Sequence, residues 1–193
     1  MLIGIDEAGR GPIAGPVAVG CCYINSEVGS KNPIPKFLKE FPKGKDSKKM
    51  TEKERDFWFE RLEFFKKEGL IDFKVALVSN TVIDKKGINK AVDIAIKRLL
   101  KSAPVKSKIL LDGRLSAPDE FLDQKTIIKG DEKEWIISLA SIAAKVKRDR
   151  YMTQLSTKMP EYLFERHKGY GTKSHIQAIR KNGISPLHRK TFL

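Results

Sequence analysis

The sequence predicts a layered α/β domain: a mixed five-stranded sheet with helices on both faces. Two patterns point there. Short apolar runs bounded by Gly, Pro and Asp read as strands, and they are interleaved with longer stretches of helical periodicity. The strands also concentrate before a helix-rich C-terminal half, which implies layers rather than an all-β or all-α core. The chain has 193 residues, enough for one domain with a substantial core and short for two. One domain over 1–193 is therefore expected, with a core over about 1–158 and a loop and helix over about 159–193.

Leu2–Ile5 and Val17–Ile24 are two strands joined by a Gly/Pro loop, and the polar, proline-bearing stretch 25–45 reads as a surface loop. Thr51-Glu-Lys-Glu54 has the capping-box pattern. Phe57, Trp58, Leu62 and Phe65 follow at helical spacing, so a helix runs from Thr51 to about Glu68. Ile71–Ser79 alternates as a third strand, and Asn89 to Lys101 carries Val92, Ala95, Ile96, Leu99 and Leu100 on one helical stripe. Lys108–Leu111 and Thr126–Ile128 are short strands ending at Asp112-Gly113 and Gly130-Asp131. A long helix should begin at Asp131, with Trp135, Leu139, Ile142, Ala143 and Val146 facing inward. Pro160, Gly169, Gly171, Gly183 and Pro186 break up the remainder, leaving a helix near Ser174–Lys181.

Lys and Arg number 38 against 24 Asp and Glu, a net charge of +14. Such a balance favours a polyanionic partner, nucleic acid before membrane, since no basic amphipathic anchor and no spanning apolar run is present. The N-terminus has no basic region followed by an apolar one, so no secretory signal is read and a cytoplasmic location is expected. Cys21 and Cys22 are the only cysteines. As strand neighbours they point to opposite faces, which excludes a disulfide framework or a zinc site made from them alone.

The chemistry concentrates where strands stop. Asp6-Glu7 follows the first strand, Asp112 follows Ile-Leu-Leu, and Asp131 follows Ile-Ile-Lys-Gly. Ligands collect at the carboxyl ends of parallel strands in α/β sheets, so these distant acids can converge. Four convergent carboxylates repel one another unless divalent cations lie between them, and hard oxygen donors suit Mg²⁺ or Mn²⁺. A two-metal site, with one cation at the attacking water and one at the leaving oxygen, needs such a set. Gly9 and Gly11 allow close backbone approach beside Arg10. Each acid also has a plainer reading: Asp6-Glu7 and Asp112-Gly113 as turns, Asp131 with Glu134 as a capping box. Gly9, Gly11 and Ala14 match a dinucleotide fingerprint, but Pro12 and Pro16 interrupt the helix that motif must open. Strict alternation would put Asp6 and Glu7 on opposite faces, so the strand is expected to end or bulge there.

In order along the chain, Gly4-Ile-Asp-Glu-Ala-Gly-Arg-Gly-Pro12, Asp46-Ser-Lys-Lys49, Leu111-Asp-Gly113, Lys129-Gly-Asp131, Ala140-Ser-Ile-Ala-Ala-Lys145, Arg148-Asp149, His167-Lys-Gly-Tyr170 and His188-Arg-Lys-Thr-Phe192 closely resemble the motifs of the bacterial ribonuclease HII family. The resemblance runs almost end to end and implies a ribonuclease H-like fold. It also implies a metal-dependent endonuclease, using Mg²⁺ or Mn²⁺, that acts as a monomer on RNA/DNA hybrids and on DNA duplexes containing ribonucleotides. Asp6, Glu7, Asp112 and Asp131 fall on the family's metal-binding acids. Gly9, Arg10, Gly11 and Tyr170 fall on positions that sense the 2′-hydroxyl, and Ser141 falls among the substrate-binding positions. Lys48, Lys49, Lys145, Lys168 and Arg148 are candidate phosphate contacts. Three departures stand out: Glu132 replaces a small hydroxyl residue, Leu139 sits in a small-residue stretch, and 25–45 is longer than expected. The rivals are a non-catalytic nucleic-acid-binding module, whose acids only cap helices and turns, and another nuclease of the same fold.

Overall fold

The computed structural model describes residues 1–24 and 50–193. The loop read over 25–45 lies outside the described residues, and so do Lys48 and Lys49. Among the described residues, five strands form one mixed sheet: β1 (Leu2–Ala8), β2 (Val17–Ile24), β3 (Asp72–Val78), β4 (Lys108–Asp112) and β5 (Gln124–Ile127), in the spatial order β3-β2-β1-β4-β5. β1 pairs antiparallel with β2 and parallel with β4. β1, β4 and β5 therefore run the same way and release Glu7, Asp112 and the segment leading to Asp131 at one edge of the sheet.

Helices cover both faces, as the patterning requires. On one face, α3 (Ile88–Leu100) buries Val92, Ala95, Ile96 and Leu99 against Ile3, Ile5, Ile109 and Leu111. The short α2 (Asn80–Lys86) precedes it across Gly87. On the other face, α1 (Glu52–Lys67) and α5 (Trp135–Lys158) pack on Cys22, Phe73 and Leu110. Cys21 and Cys22 are divided between these two cores, and burial pushes the Cys21 thiol up to about 12. The capping box at Thr51 forms with both of its bonds: the Glu54 N–H donates to the Thr51 hydroxyl at 3.2 Å, and the Glu54 carboxylate accepts from the Thr51 N–H at 2.8 Å.

α5 lies unusually close to the sheet because two strand positions under it are glycine. A Cβ on Gly4 would stand 2.5 Å from the Ile136 carbonyl carbon, and one on Gly20 would overlap the Ala140 carbonyl oxygen. This approach brings Ser141 to Asp6. A third core, built from Ala14, Met152, Tyr162, Phe164 and Ala178, joins the C-terminal segment to the end of α5 and to the loop after β1. That segment contains a short turn of helix, α6 (Phe164–His167), and α7 (Lys173–Asn182).

Two sequence readings are corrected. β1 neither ends nor bulges at Ile5: it continues regularly through Ala8, paired as Asp6↔Gly20, Glu7↔Val19 and Ala8↔Ala18, because the antiparallel partner β2 extends beyond β4. Nor does a single helix start at Asp131. One helical turn, α4 (Gly130–Lys133), comes first, then Glu134 is extended (φ −119°, ψ 111°), and only then does α5 begin. Asp131 lies inside α4 and not at a helix N-cap, and the Glu134 N–H donates to the Gly130 carbonyl at 2.7 Å, so the capping-box reading of Asp131 and Glu134 does not hold.

Candidate active site

Regular alternation sends Asp6 toward α5 and Glu7 toward α3, with both at the tip of β1. Asp6 is buried; its Oδ1 accepts the Glu7 N–H at 2.7 Å. Burial first, then the charges of Glu7 and Asp112, push its carboxyl well above the usual carboxylate range. Hydrogen bonds from Ser141 and the Glu7 N–H pull the other way. Asp112 is the next position along β4 after Leu111, the partner of Ile5, so it stands beside Asp6 across the parallel pair. Its Oδ1 accepts the Gly130 N–H at 2.6 Å, which draws the turn carrying the buried Asp131 against the end of β4. Asp6, Glu7 and Asp112 thus share one electrostatic neighbourhood, with Asp131 one residue from the bond that closes it.

The donor set fits a divalent cation. Asp6 Oδ2 is buried and has no partner of ordinary hydrogen-bond geometry among the described residues, a costly state for a carboxylate that an adjacent cation would relieve. All the donors are hard oxygens, the type that Mg²⁺ and Mn²⁺ take. Among the described residues no three His, Cys, Asp or Glu side chains are already drawn into a coordination set.

Beside the acids opens a cleft of about 360 Å³ lined by Glu7, Ala8, Gly9, Arg10, Gly11, Arg55, Lys145 and Tyr170. Arg10 leans over Glu7 at 3.7 Å and bonds the Asn89 side chain from α3. Opposite stands Tyr170, 41% exposed, with the Lys145 ammonium 5.5 Å from its ring centroid. Lys145 is paired with Asp149 at 3.0 Å. A cleft with a guanidinium, an ammonium and an exposed aromatic ring beside a carboxylate cluster can hold a phosphodiester and stack on a sugar or base. A larger groove of about 800 Å³ between α1, β3 and α5 has one lining carboxylate, Glu63, already paired with Lys147 at 3.5 Å. Size does not mark the site here.

Residues 3–193 match the family model described as Ribonuclease HII. The chain belongs to the ribonuclease HII family. A ribonuclease HII of Caldicellulosiruptor saccharolyticus is 42% identical over 192 residues, which span 100% of this chain and 86% of that one. Among solved structures, the ribonuclease H2 of Pyrococcus horikoshii OT3 superposes with a TM-score of 0.72 at 28% identity, covering 98% of this chain and 92% of that one. A chain from the PCNA:RNase HII complex of Archaeoglobus fulgidus does so with a TM-score of 0.72 at 25% identity, covering 98% and 94%.

Within this family member, three expected substrate contacts are engaged by the protein itself. Arg148 is fully buried, and its guanidinium donates to the carbonyls of Pro16 (2.9 Å), Lys168 (3.0 Å) and Ala14 (3.3 Å). Buried and bonded in this way, it braces the loop after β1. Gly9, at φ +88°, is the residue that makes room for it, since a Cβ there would overlap the guanidinium. Ser141 is likewise buried, and its hydroxyl is among the groups that lower the Asp6 carboxyl. The Lys168 ammonium is engaged by the Glu165 carbonyl at 2.5 Å and the Thr153 hydroxyl at 3.2 Å. Leu139 is a buried member of the core under α5, which accounts for an apolar side chain in a small-residue stretch. The sequence reading did not single out Arg55, Asn89 or Arg189. Arg55 and Asn89 sit on polar faces of helices with nothing in their spacing to mark them; Arg189 was visible only inside the His188–Phe192 motif.

Proposed function

We propose that this protein is a metal-dependent endonuclease that hydrolyses the RNA strand of RNA/DNA hybrids and cuts 5′ to a single ribonucleotide in duplex DNA, leaving 3′-hydroxyl and 5′-phosphate ends. The observation that carries the reading is Asp6: a buried carboxylate with an unsatisfied oxygen, repelled by Glu7 and Asp112 at the tips of parallel strands. Family membership and the adjoining basic cleft support it.

Asp6, Glu7, Asp112 and Asp131 are the residues that would hold Mg²⁺ or Mn²⁺. A metal held there would supply charge neutralisation and lower the pKa of water, chemistry that does not call for a histidine base. Ser141 and the Glu7 N–H keep the Asp6 carboxylate oriented. Arg10 and Lys145 face the cleft as cations for the substrate backbone, with Lys48 and Lys49 further phosphate contacts in the same reading. Gly9, Arg10 and Gly11 present backbone to the 2′-hydroxyl, the group that separates RNA from DNA, while Tyr170 packs on the neighbouring deoxyribose. A monomer is the expected working form, because the acids and both cleft walls come from one chain.

Asp131→Asn tests the reading. It keeps the side chain's size while removing its charge, so hybrid binding should be retained and Mg²⁺-dependent cleavage should fall by at least about a hundredfold. Undiminished cleavage removes Asp131 from the site, and loss of binding alone favours a module whose acids are structural.

A further inference from the structure

The two walls of the cleft are joined behind it by a dipeptide that touches none of the four acids. On the Tyr170 side, His175 Nδ1 lies 2.9 Å from the Tyr170 carbonyl. A carbonyl only accepts, so Nδ1 carries the proton and His175 Nε2 is left as an acceptor. His188 Nε2, 3.1 Å from it, must then be the donor. That leaves His188 Nδ1 to accept the Ser185 N–H at 2.8 Å. Each of these three contacts has a donor and an acceptor when both rings are neutral, and the directed chain runs from the Ser185 N–H through His188 and His175 to the Tyr170 carbonyl. Burial holds both rings toward that neutral form. His167 supports the same turn: it stacks on His175 with centroids 4.1 Å apart, and its Nδ1 accepts the Gly169 N–H at 3.2 Å.

On the opposite wall the next residue, Arg189, is fully buried. Its guanidinium donates to the carbonyls of Gly9 (2.7 Å), Arg10 (2.9 Å) and Gly15 (2.9 Å). The dipeptide is itself pinned from outside the cleft. Asn80 Nδ2 donates to the carbonyls of Pro186 (2.8 Å) and His188 (3.1 Å), and the Asp84 carboxylate accepts the N–H groups of Lys190 and Thr191, each at 3.0 Å. An apolar packing role would not need hydrogen bonds to the carbonyls of the residues that face one another across the cleft.

We propose that His188 and Arg189 are a positioning pair for ribose recognition: His188 sets Tyr170 through His175, Arg189 sets Gly9 and Arg10 directly, and one dipeptide thereby fixes the spacing of the two walls. The proposal rests on the reading of this cleft as the site that meets the ribonucleotide. Neither residue touches substrate; each acts through the backbone it holds.

The test is steady-state cleavage, with Mg²⁺, of a DNA duplex containing one ribonucleotide and of an all-DNA control. The wild-type protein is compared with His188→Leu, His188→Gln and Arg189→Lys, each checked for native circular dichroism. His188→Leu removes the donor to His175, whereas His188→Gln keeps an N–H at the Nε2 position. Arg189→Lys keeps the charge, but one ammonium cannot span three carbonyls. The expected result is a KM raised about tenfold in His188→Leu and Arg189→Lys, as for one lost buried hydrogen bond, with a smaller change in kcat. His188→Gln should recover most of the loss. Arg189→Lys and His188→Gln carry the test should His188→Leu not fold. Wild-type KM in the folded variants overturns the proposal, as does a loss spread equally over kcat and KM that His188→Gln does not repair. If wild-type protein cuts both duplexes equally, the ribose reading itself fails; if it discriminates and the variants match it, only the positioning pair fails.

Discussion

Replacing Arg148 by Met tests whether the loop that carries Gly9, Arg10 and Gly11 is held by a buried cation. Methionine occupies the stem of the side chain but removes the guanidinium, leaving the carbonyls of Ala14, Pro16 and Lys168 without their donors at 3.3, 2.9 and 3.0 Å. Each carbonyl so orphaned costs about 1–3 kcal/mol. Against this, the variant no longer buries a guanidinium, whose cost is visible in a pKa held below the ordinary arginine value, chiefly by desolvation. Asp149, 3.8 Å away, offsets only part of that cost. The balance is a destabilisation of about 2–4 kcal/mol, since removing one partner from a buried charged network is worse than never having built it. For a chain of this length that corresponds to a fall in Tm of roughly 5–15 °C. Differential scanning calorimetry with urea titration reads both quantities. A variant within about 0.5 kcal/mol of the parent would show that water or neighbouring groups satisfy these carbonyls, and the bracing role given to Arg148 would be wrong.

Two further outcomes follow from the same packing. Gly20→Ala should destabilise by about 1–3 kcal/mol and depress cleavage, because its Cβ would meet the Ala140 carbonyl, backbone that can yield only if α5 withdraws and takes Ser141 away from Asp6; a neutral Tm refutes the close helix–sheet contact. Acid should destabilise the C-terminal core. His167, His175 and His188 are all held below the ordinary imidazole value, mainly by burial, His175 at about 4. The unfolded chain therefore binds more protons below about pH 6.5, down to about 4 for His175, so the stabilisation is complete above about 6.5 and is lost on acidification, by up to about 1.4 kcal/mol per pH unit for His175. The raised Asp6 carboxyl acts in the opposite sense. Urea melts at pH 7.5, 6.0 and 5.0 are thus read against His175→Asn, which should show the shallower slope; equal slopes contradict the assignment.

Much of this was legible in the chain because it depends on local rules. The period of Val92, Ala95, Ile96 and Leu99 and the capping box at Thr51 each specify an element without reference to distant residues. The acids stand out for a related reason: each follows an apolar run, and their common placement at strand ends is visible without the fold. What the sequence hid was set by partners far along the chain. β1 continues past Ile5 only because β2 is long enough to pair with it, so the expected bulge at Asp6-Glu7 is absent and the two acids diverge. Arg148 reads as a candidate phosphate contact on a chain of +14, and only the approach of Ala14, Pro16 and Lys168 reveals an internal brace. Asp131 and Glu134 have capping-box spacing, yet the bond from Gly130 to Asp112 commits the turn to the end of β4 instead. The helix Asn80–Lys86 escaped notice because seven residues with one apolar pair carry too little periodicity.

We propose that this protein cuts at a ribose recognised by the Gly9–Gly11 and Tyr170 walls, and that its strand-end carboxylates would hold the divalent cation it needs. The most direct measurement is cleavage of a DNA duplex containing one ribonucleotide beside an identical all-DNA duplex, with Mg²⁺, with Mn²⁺ and with chelator. Cleavage on the 5′ side of the ribonucleotide alone, abolished by chelator, is the predicted result; equal cutting of both duplexes, or cutting that survives the chelator, would contradict it.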